Sequence, residues 1–234
     1  MPQGLSLSNF RAMLFDVDGT LVDSLHVIVG ALGDTFEKYA GIRPSDEEIT
    51  SLIGMPLHKQ LLLFQDSPPS EERLSEMIDF TIHRFDANVS EEVTFEESIE
   101  ALRMCHQAGL KIALVTSKNA IELESFLKRF VCADVVETTV CASDVHQPKP
   151  NPESALLACA RLGVEPSEAV MIGDSVYDIR CALEAGVTPI AVGYGASDRS
   201  TLLAESPAAF FERPSDLLEW VRDSLLETSC QERK

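Results

Sequence analysis

Short apolar runs recur along this chain, and several of them stop at an acid or a hydroxyl. Ala12 to Phe15 is of strand length and ends at Asp16; Lys111 to Val115 runs into Thr116 and Ser117; Ala169 to Gly173 ends at Asp174. Val135 to Cys141 and Thr188 to Val192 are further strand-like runs. Helical patterns lie between them: Phe95 to Ala108, closed by Gly109; Asn119 to Phe130; a segment opened by Pro152 and closed by Gly163; and one that ends at Gly186. Strands alternating with helices of roughly ten to fifteen residues predict right-handed crossovers. The fold class is therefore α/β, a Rossmann-like doubly wound parallel sheet with helices on both faces. Ligands of such sheets bind beyond the carboxyl ends of the strands, where the polar clusters of this chain fall.

The pattern changes between Asp23 and Asn88, where no strand run occurs. Leu25, Val29, Leu32 and Phe36 have helical spacing, with Ser24 placed to cap them and Gly41 to stop them. Ser45-Asp-Glu-Glu48 is a capping box opening a short helix to Ile53, Gly54-Met-Pro56 breaks it, and Leu57 to Phe64 is helical again. Pro68-Pro69-Ser70 starts another helix reaching about Ala87. The predicted organisation is an α/β core of residues 1–22 and 89–234, interrupted by an all-helical insertion of about four helices at 23–88. At the end of the chain, 195–206 is a loop or short helix, Ala208 to Phe211 a last edge strand, Leu217 to Leu226 a closing helix, and 227–234 a frayed tail.

Composition narrows the partners. The 234 residues include 38 acidic and 19 basic ones, a formal charge of −19, which disfavours nucleic acid and anionic membrane surfaces. Any phosphate must be held locally, by a metal ion, a few lysines and backbone amides. The six cysteines show no C-x-x-C pairing and mostly fall in apolar patterns, as expected of reduced core residues. The first nine residues have neither a basic nor an apolar leader region, and no run approaches a membrane span. The expected location is the cytoplasm.

Four polar clusters then carry candidate chemistry. Asp16 and Asp18 are two residues apart at a glycine turn, so in strand geometry their carboxylates face one side and repel unless a divalent cation lies between them. Thr116-Ser117 alone could be a helix cap. Lys149 is flanked by Pro148 and Pro150, which restrict the loop that presents it. Asp174, itself a possible cap, has Asp178 four residues on, on the same face of a helix start. Singly these readings stay open; together they supply oxygen ligands for Mg²⁺, a hydroxyl and an ammonium for a phosphoryl group, and a spare carboxylate.

Asp16-Val-Asp-Gly-Thr-Leu-Val-Asp-Ser24, the strand ending in Thr116, Lys149-Pro-Asn-Pro152 and Gly173-Asp-Ser-Val-Tyr-Asp178 occur in the order and spacing of the haloacid dehalogenase (HAD) superfamily hydrolases with a helical cap. The chain resembles the branch that holds phosphoglycolate phosphatases, pyrophosphatases and beta-phosphoglucomutases. The resemblance implies Asp16 as a nucleophile that becomes an aspartyl phosphate, and Asp18 as the general acid and base. It further implies Mg²⁺ held by the Asp16 carboxylate, the Asp18 carbonyl and Asp174. Thr116 and Lys149 would hold phosphoryl oxygens, with Asp178 positioning Lys149 or the metal's waters from behind. Gly19 would let the chain turn while its amides approach the phosphate. Ser117 and Lys118 lie near this pocket without an assigned role. An acid at position 18 suits an alcohol leaving group, which dehalogenases and phosphonatases lack. The expected activity is a Mg²⁺-dependent phosphatase acting on a small phosphorylated metabolite, as a monomer or homodimer. A sugar phosphomutase, a pyrophosphatase and, outside this class, a phospho-accepting regulatory module are the alternatives. Leu52-Ile-Gly-Met-Pro56 resembles the cap loop that closes over substrate, with Gly54 and Lys59 as specificity candidates and Lys38 and Arg43 as further cations for a second anionic group.

Overall fold

The apolar run Ala12–Phe15 (β1) is buried at every position, which only a central strand covered on both faces can satisfy. In this computed structural model, which describes residues 5–231, it lies in the middle of a six-stranded parallel sheet. After β1 come Val22–Asp23 (β2) and the helices Leu25–Ala40 (α1), Asp46–Thr50 (α2), Leu57–Gln60 (α3) and Glu71–Asn88 (α4), then Val93–Thr94 (β3). The chain continues through Glu96–Gln107 (α5), Lys111–Val115 (β4), Ala120–Leu127 (α6), Thr138–Val140 (β5), Glu153–Leu162 (α7), Ala169–Gly173 (β6) and Val176–Ala185 (α8). Thr188–Val192 (β7), Arg199–Ala204 (α9), Ala209–Phe211 (β8) and Pro214–Gln231 (α10) complete it. The sheet order β5-β4-β1-β6-β7-β8 is the doubly wound one, winding outward in both directions from β1.

Alternation along each strand divides the core. Met13, Phe15, Ile112, Leu114, Val170 and Ile172 pack on one face with large residues of α5 and α10, including Leu102 and Trp220. Ala12, Leu14, Ala113, Val115, Ala169 and Met171 face the small residues Ala155, Ala158, Cys159, Cys181 and Ala182 of α7 and α8, which let those helices approach closely. Five cysteines, at 105, 132, 141, 159 and 181, are free and buried; Cys230 lies outside the residues whose side chains are described. No helix is long and apolar enough to cross a membrane, among the described residues.

The four helices α1 to α4 pack around a cluster of their own, built on Leu32, Phe36, Ile49, Leu61 and Met77. The chain enters and leaves this helical segment through β2 and β3, an antiparallel pair of two residues each. So short a pair leaves no periodicity in the sequence. Several expected elements are shorter than their apolar patterns. After α2 and α3 the chain continues in i→i+3 bonds, from Ile53 N–H to the Thr50 carbonyl and from Leu63 N–H to the Gln60 carbonyl, rather than as α-helix. Phe64 ends the second with φ +59°. Ala133–Val135 is a 3₁₀ turn, so β5 starts at Thr138 rather than near Val135. The closing helix is longer than expected and runs to Gln231, so the tail expected to fray at Glu227 is helical for its first turn; 232–234 lie outside the described residues.

Candidate active site

Strand register assembles the site. Phe15 pairs with Leu114 on one side and Ile172 on the other, so the residues just past β1, β4 and β6 fall within one residue of a common level. Those residues are Asp16, Thr116 and Asp174. Backbone bonds fix the first two, from Asp16 N–H to the Ile172 carbonyl (2.9 Å) and from Thr116 N–H to the Val140 carbonyl (2.9 Å).

Lys149 reaches the same spot from a buried loop and is 1% exposed. Its Nζ donates to Asp16 Oδ1 (2.9 Å), Asp178 Oδ1 (2.6 Å) and the Val115 carbonyl (3.1 Å), which uses all three of its protons. Burial alone would lower its pKa, but Asp16 and Asp178 hold it above the ordinary lysine value. Asp178 in turn takes Ser175 N–H (3.1 Å) and Ser175 Oγ (2.5 Å) on its other oxygen, in a capping box at the start of α8. The cap of this helix is thus Ser175, and Asp174 is left facing Asp16. Ala196 N–H donates to Asp174 Oδ2 (2.6 Å).

Asp16, Asp174 and Asp178 have carboxylate oxygens all within 4.8 Å of one another, and all three residues are buried. Three carboxylates face one ammonium. Burial, then the Asp178 charge, pushes the Asp16 carboxyl up to about 7 against the opposing pull of Lys149; burial and Asp16 raise Asp174. One oxygen on Asp16 and one on Asp174 have no hydrogen bond, among the described residues. That surplus of buried negative charge with open oxygens fits a divalent cation. Space around Asp174 is close: a Cβ at Gly19, where φ is +72°, or at Gly195 would come within 2.1 Å of Asp174 Oδ2.

Replacing Lys149 by methionine is expected to lower stability by about 3–5 kcal/mol, because it leaves buried carboxylates without their counter-ion. A denaturant melt of the metal-free variant checks this, and unchanged stability would contradict the pairing.

Asp18 sits apart from that cluster. Ser24 Oγ donates to Asp18 Oδ1 (2.5 Å), and Lys118 Nζ lies 2.9 Å from Asp18 Oδ1 and 2.8 Å from Oδ2. Ser24, expected to cap α1 with its side chain, has its hydroxyl drawn to the carboxylate instead. Lys118 is buried; burial would lower its pKa, yet Asp18 and Glu122 raise it. Sequence reasoning gave Lys118 no role, although its place two residues after Thr116, at the end of a central strand, is a usable signal. Thr116 is buried and its Oγ1 accepts Lys118 N–H (3.2 Å). Neither Thr116 nor Ser117 caps α6; Asn119 does, accepting the N–H groups of Ile121 and Glu122. Ser117 Oγ donates instead to the Gly54 carbonyl (2.6 Å), which ties the helical segment to the sheet. Gly54 has φ +100°, and a Cβ there would meet Tyr177 at 2.7 Å and Ser175 Oγ at 2.8 Å.

A cavity of about 70 Å³ separates the strand ends from the helical segment, lined by Asp16, Asp18, Thr116, Lys118 and Asp174 below and by Gly54 and α1/α4 side chains above. The expected cations of that segment are elsewhere. Lys59 is exposed and lines a separate surface depression with Gln147 and Asn151; Arg43 pairs with Asp34 (2.7 Å); Lys38 lies over the Phe80 ring (3.7 Å).

Comparison with known proteins bears on this geometry. Residues 13–192 match the family model described as haloacid dehalogenase-like hydrolase. The chain belongs to that family. Pyrophosphatase PpaX of Bacillus velezensis is 33% identical over 211 residues, covering 88% of this chain and 94% of the relative. A crystal structure of a hydrolase from Pseudomonas syringae superposes with a TM-score of 0.81 at 23% identity, over 92% of this chain and 98% of the other. One of a predicted phosphoglycolate phosphatase from Haemophilus somnus gives 0.79 at 20%, over 90% and 97%. At those identities the two structures speak for the fold. It is the Rossmann-like core of a family of hydrolases, and this chain is an enzyme of that kind.

Proposed function

We propose that the protein is a Mg²⁺-dependent phosphatase that hydrolyses a small phosphorylated metabolite through an aspartyl phosphate on Asp16. The observation that carries this reading is the separation of two carboxylates at one turn. Asp16 lies among Asp174, Asp178 and Lys149, while Asp18 is held two residues away by Lys118 and Ser24. One is placed to bond to phosphorus, the other to handle a proton.

In this proposal Asp16 Oδ attacks phosphorus in line as the bond to the leaving oxygen breaks, and Asp18 gives its proton to that oxygen. Water then attacks phosphorus as the bond to Asp16 Oδ breaks, which frees inorganic phosphate and returns a proton to Asp18, held in place by Lys118 and Ser24. The Thr116 hydroxyl holds one phosphoryl oxygen, and Lys149 turns the proton it gives Asp16 to another as Asp16 bonds to phosphorus, while Asp178 keeps Lys149 in place. Mg²⁺ would be held by the Asp16 and Asp174 carboxylates and the Asp18 carbonyl, and would supply charge neutralisation at the phosphoryl oxygens. Residues 23–88 act as a cap on the core of 1–22 and 89–234, with the Ser117–Gly54 bond as one latch that keeps water out. A cytoplasmic location and action as a monomer or homodimer complete the reading.

The name of the Bacillus velezensis relative makes pyrophosphate the second substrate to test. Phosphate release from a panel of phosphate esters, phosphosugars and pyrophosphate, with isomerisation scored in parallel, tests the proposal. A phosphosugar isomerised without net phosphate release would replace phosphatase by mutase. A stable aspartyl phosphate with no turnover would point to the regulatory module.

The charge surplus also predicts how metal and pH act on stability. Asp16 has a folded pKa near 7 against an ordinary 3.8, so the folded state favours its protonated form. The metal-free protein is expected to lose stability as pH rises from about 4 to about 7. Mg²⁺ is expected to raise the melting temperature clearly at pH 8 and little at pH 5. Equal stabilisation at both pH values would argue against a cation between these carboxylates.

A further inference from the structure

The half of the cavity supplied by the helical segment is mainly apolar, with Asp86 of α4 as its one charged side chain among the described residues. Ile28, Leu32, Ile53, Met55, Ile82 and Phe85 line it. The two buried polar side chains among them are already occupied. Gln60 Nε2 donates to the Leu52 (3.2 Å) and Met55 (2.8 Å) carbonyls, and Thr81 Oγ1 is bonded to the Met77 carbonyl (2.8 Å) and to Thr35 Oγ1 (2.8 Å). Both amide protons of Gln60 are thereby used, which leaves its Oε1 as an acceptor only, and the Thr81 hydroxyl is held in the packing of α1 against α4. No arginine or histidine reaches the cavity among the described residues, and its one lining cation, Lys118, is bound to Asp18, has Glu122 beside it and has its Nζ 5.0 Å from the Phe85 ring centre. The remaining charges on the lining, Asp86 and Glu122, are acids.

A second anionic group on the substrate would meet those acids in a site with no unpaired cation beyond the phosphoryl position. A polyol would set several of its hydroxyls against Ile82 and Phe85, with only the acceptors of Asp86, Glu122 and Gln60 to meet the rest. We infer that the substrate is a phosphate monoester of a small, uncharged and mainly apolar alcohol, whose carbon skeleton packs between Leu32, Ile82 and Phe85. The enclosed part of the cavity is about 70 Å³ and must take the phosphoryl group as well, which favours a short alcohol. This rests on the phosphatase reading and extends it to the leaving group. It sets the chain apart from its pyrophosphatase-named relatives, because pyrophosphate is the doubly anionic substrate this lining rejects.

The test is steady-state kinetics of the unmodified full chain with Mg²⁺ on four esters: n-butyl phosphate, phosphoglycolate, pyrophosphate and glucose 6-phosphate. The expected result is a kcat/KM for butyl phosphate at least about 10²-fold above each of the others, since unpaired polar or charged groups against an apolar wall are rejected strongly. Comparable or higher kcat/KM for pyrophosphate, phosphoglycolate or the sugar phosphate overturns the inference while leaving the phosphatase reading intact. No phosphate released from any of the four defeats both. Ile82→Lys adds a cation to the apolar wall away from the reacting groups. It is expected to shift the phosphoglycolate to butyl phosphate ratio of kcat/KM upward by about tenfold or more, in protein whose melting curve shows it folded. A folded variant with an unchanged ratio would show that this wall does not meet the leaving group.

Discussion

Asp16→Asn is expected to lower kcat on the order of 10⁴-fold or more, equivalent to about 5 kcal/mol of transition-state stabilisation. The amide cannot form the acyl phosphate, because its nitrogen lone pair is delocalised and its oxygen is uncharged. What makes the substitution informative is that it should not unfold the protein. Asp16 is one of three buried carboxylates within 4.8 Å, and removing its charge relieves repulsion with Asp174 and Asp178. Lys149 keeps its bonds to Asp178 and the Val115 carbonyl. The metal-free variant is therefore expected to melt no lower than the unchanged protein at pH 8, while turnover is lost. Near-normal turnover by the variant would exclude Asp16 as the nucleophile.

Asp18→Asn is expected to cost roughly 10²–10⁴-fold, the usual worth of a general acid and base. Its signature lies in the dependence on leaving group. An alkyl phosphate needs a proton on the departing oxygen and should lose the full factor in the first step. An activated aryl phosphate does not need it, so its phosphoryl transfer should be nearly spared. Hydrolysis of the aspartyl phosphate still needs a base, so with the aryl ester the variant should show a burst and accumulate phosphorylated protein. The substituted amide can keep a hydrogen bond with Ser24 but loses the ion pair that Asp18 makes with Lys118. A uniform loss across alkyl and aryl esters, with no burst, would assign Asp18 to positioning rather than proton transfer.

Much of this was legible in one dimension. β1, β4, β6 and β7 are buried on both faces, so each reads as a continuous apolar run bounded by polar residues, and their alternation with helices specified a parallel sheet. The rule that ligands lie beyond strand ends then placed Asp16, Thr116 and Asp174 together. Other features left little local trace. β2 and β3 pair over two residues each, too few to show a period. Ser24 has the residue type and position of a helix cap, yet an ionised carboxylate offers its hydroxyl a stronger partner than a backbone N–H. Lys59, Arg43 and Lys38 follow the expected loop or flank it in sequence, but helix faces and competing acids and rings carry them away from the cavity.

The acidic turn from Asp16 to Thr20 shows where that limit falls. The sequence by itself determined that two carboxylates stand at the end of a buried strand, and that a hydroxyl, a lysine and a second acidic pair follow other such segments. Those features depend on local periodicity and turn chemistry, which act over a few residues. Only the tertiary structure decided how the two acids differ. Lys149 and Asp16 are 133 residues apart, and Lys118 and Asp18 are 100 apart. Sheet register and loop packing choose such partners, and no short-range rule encodes them. The same holds above the site, where α1 and α4 pack against each other over the cavity and their contact takes up the Thr81 hydroxyl that a substrate would otherwise find.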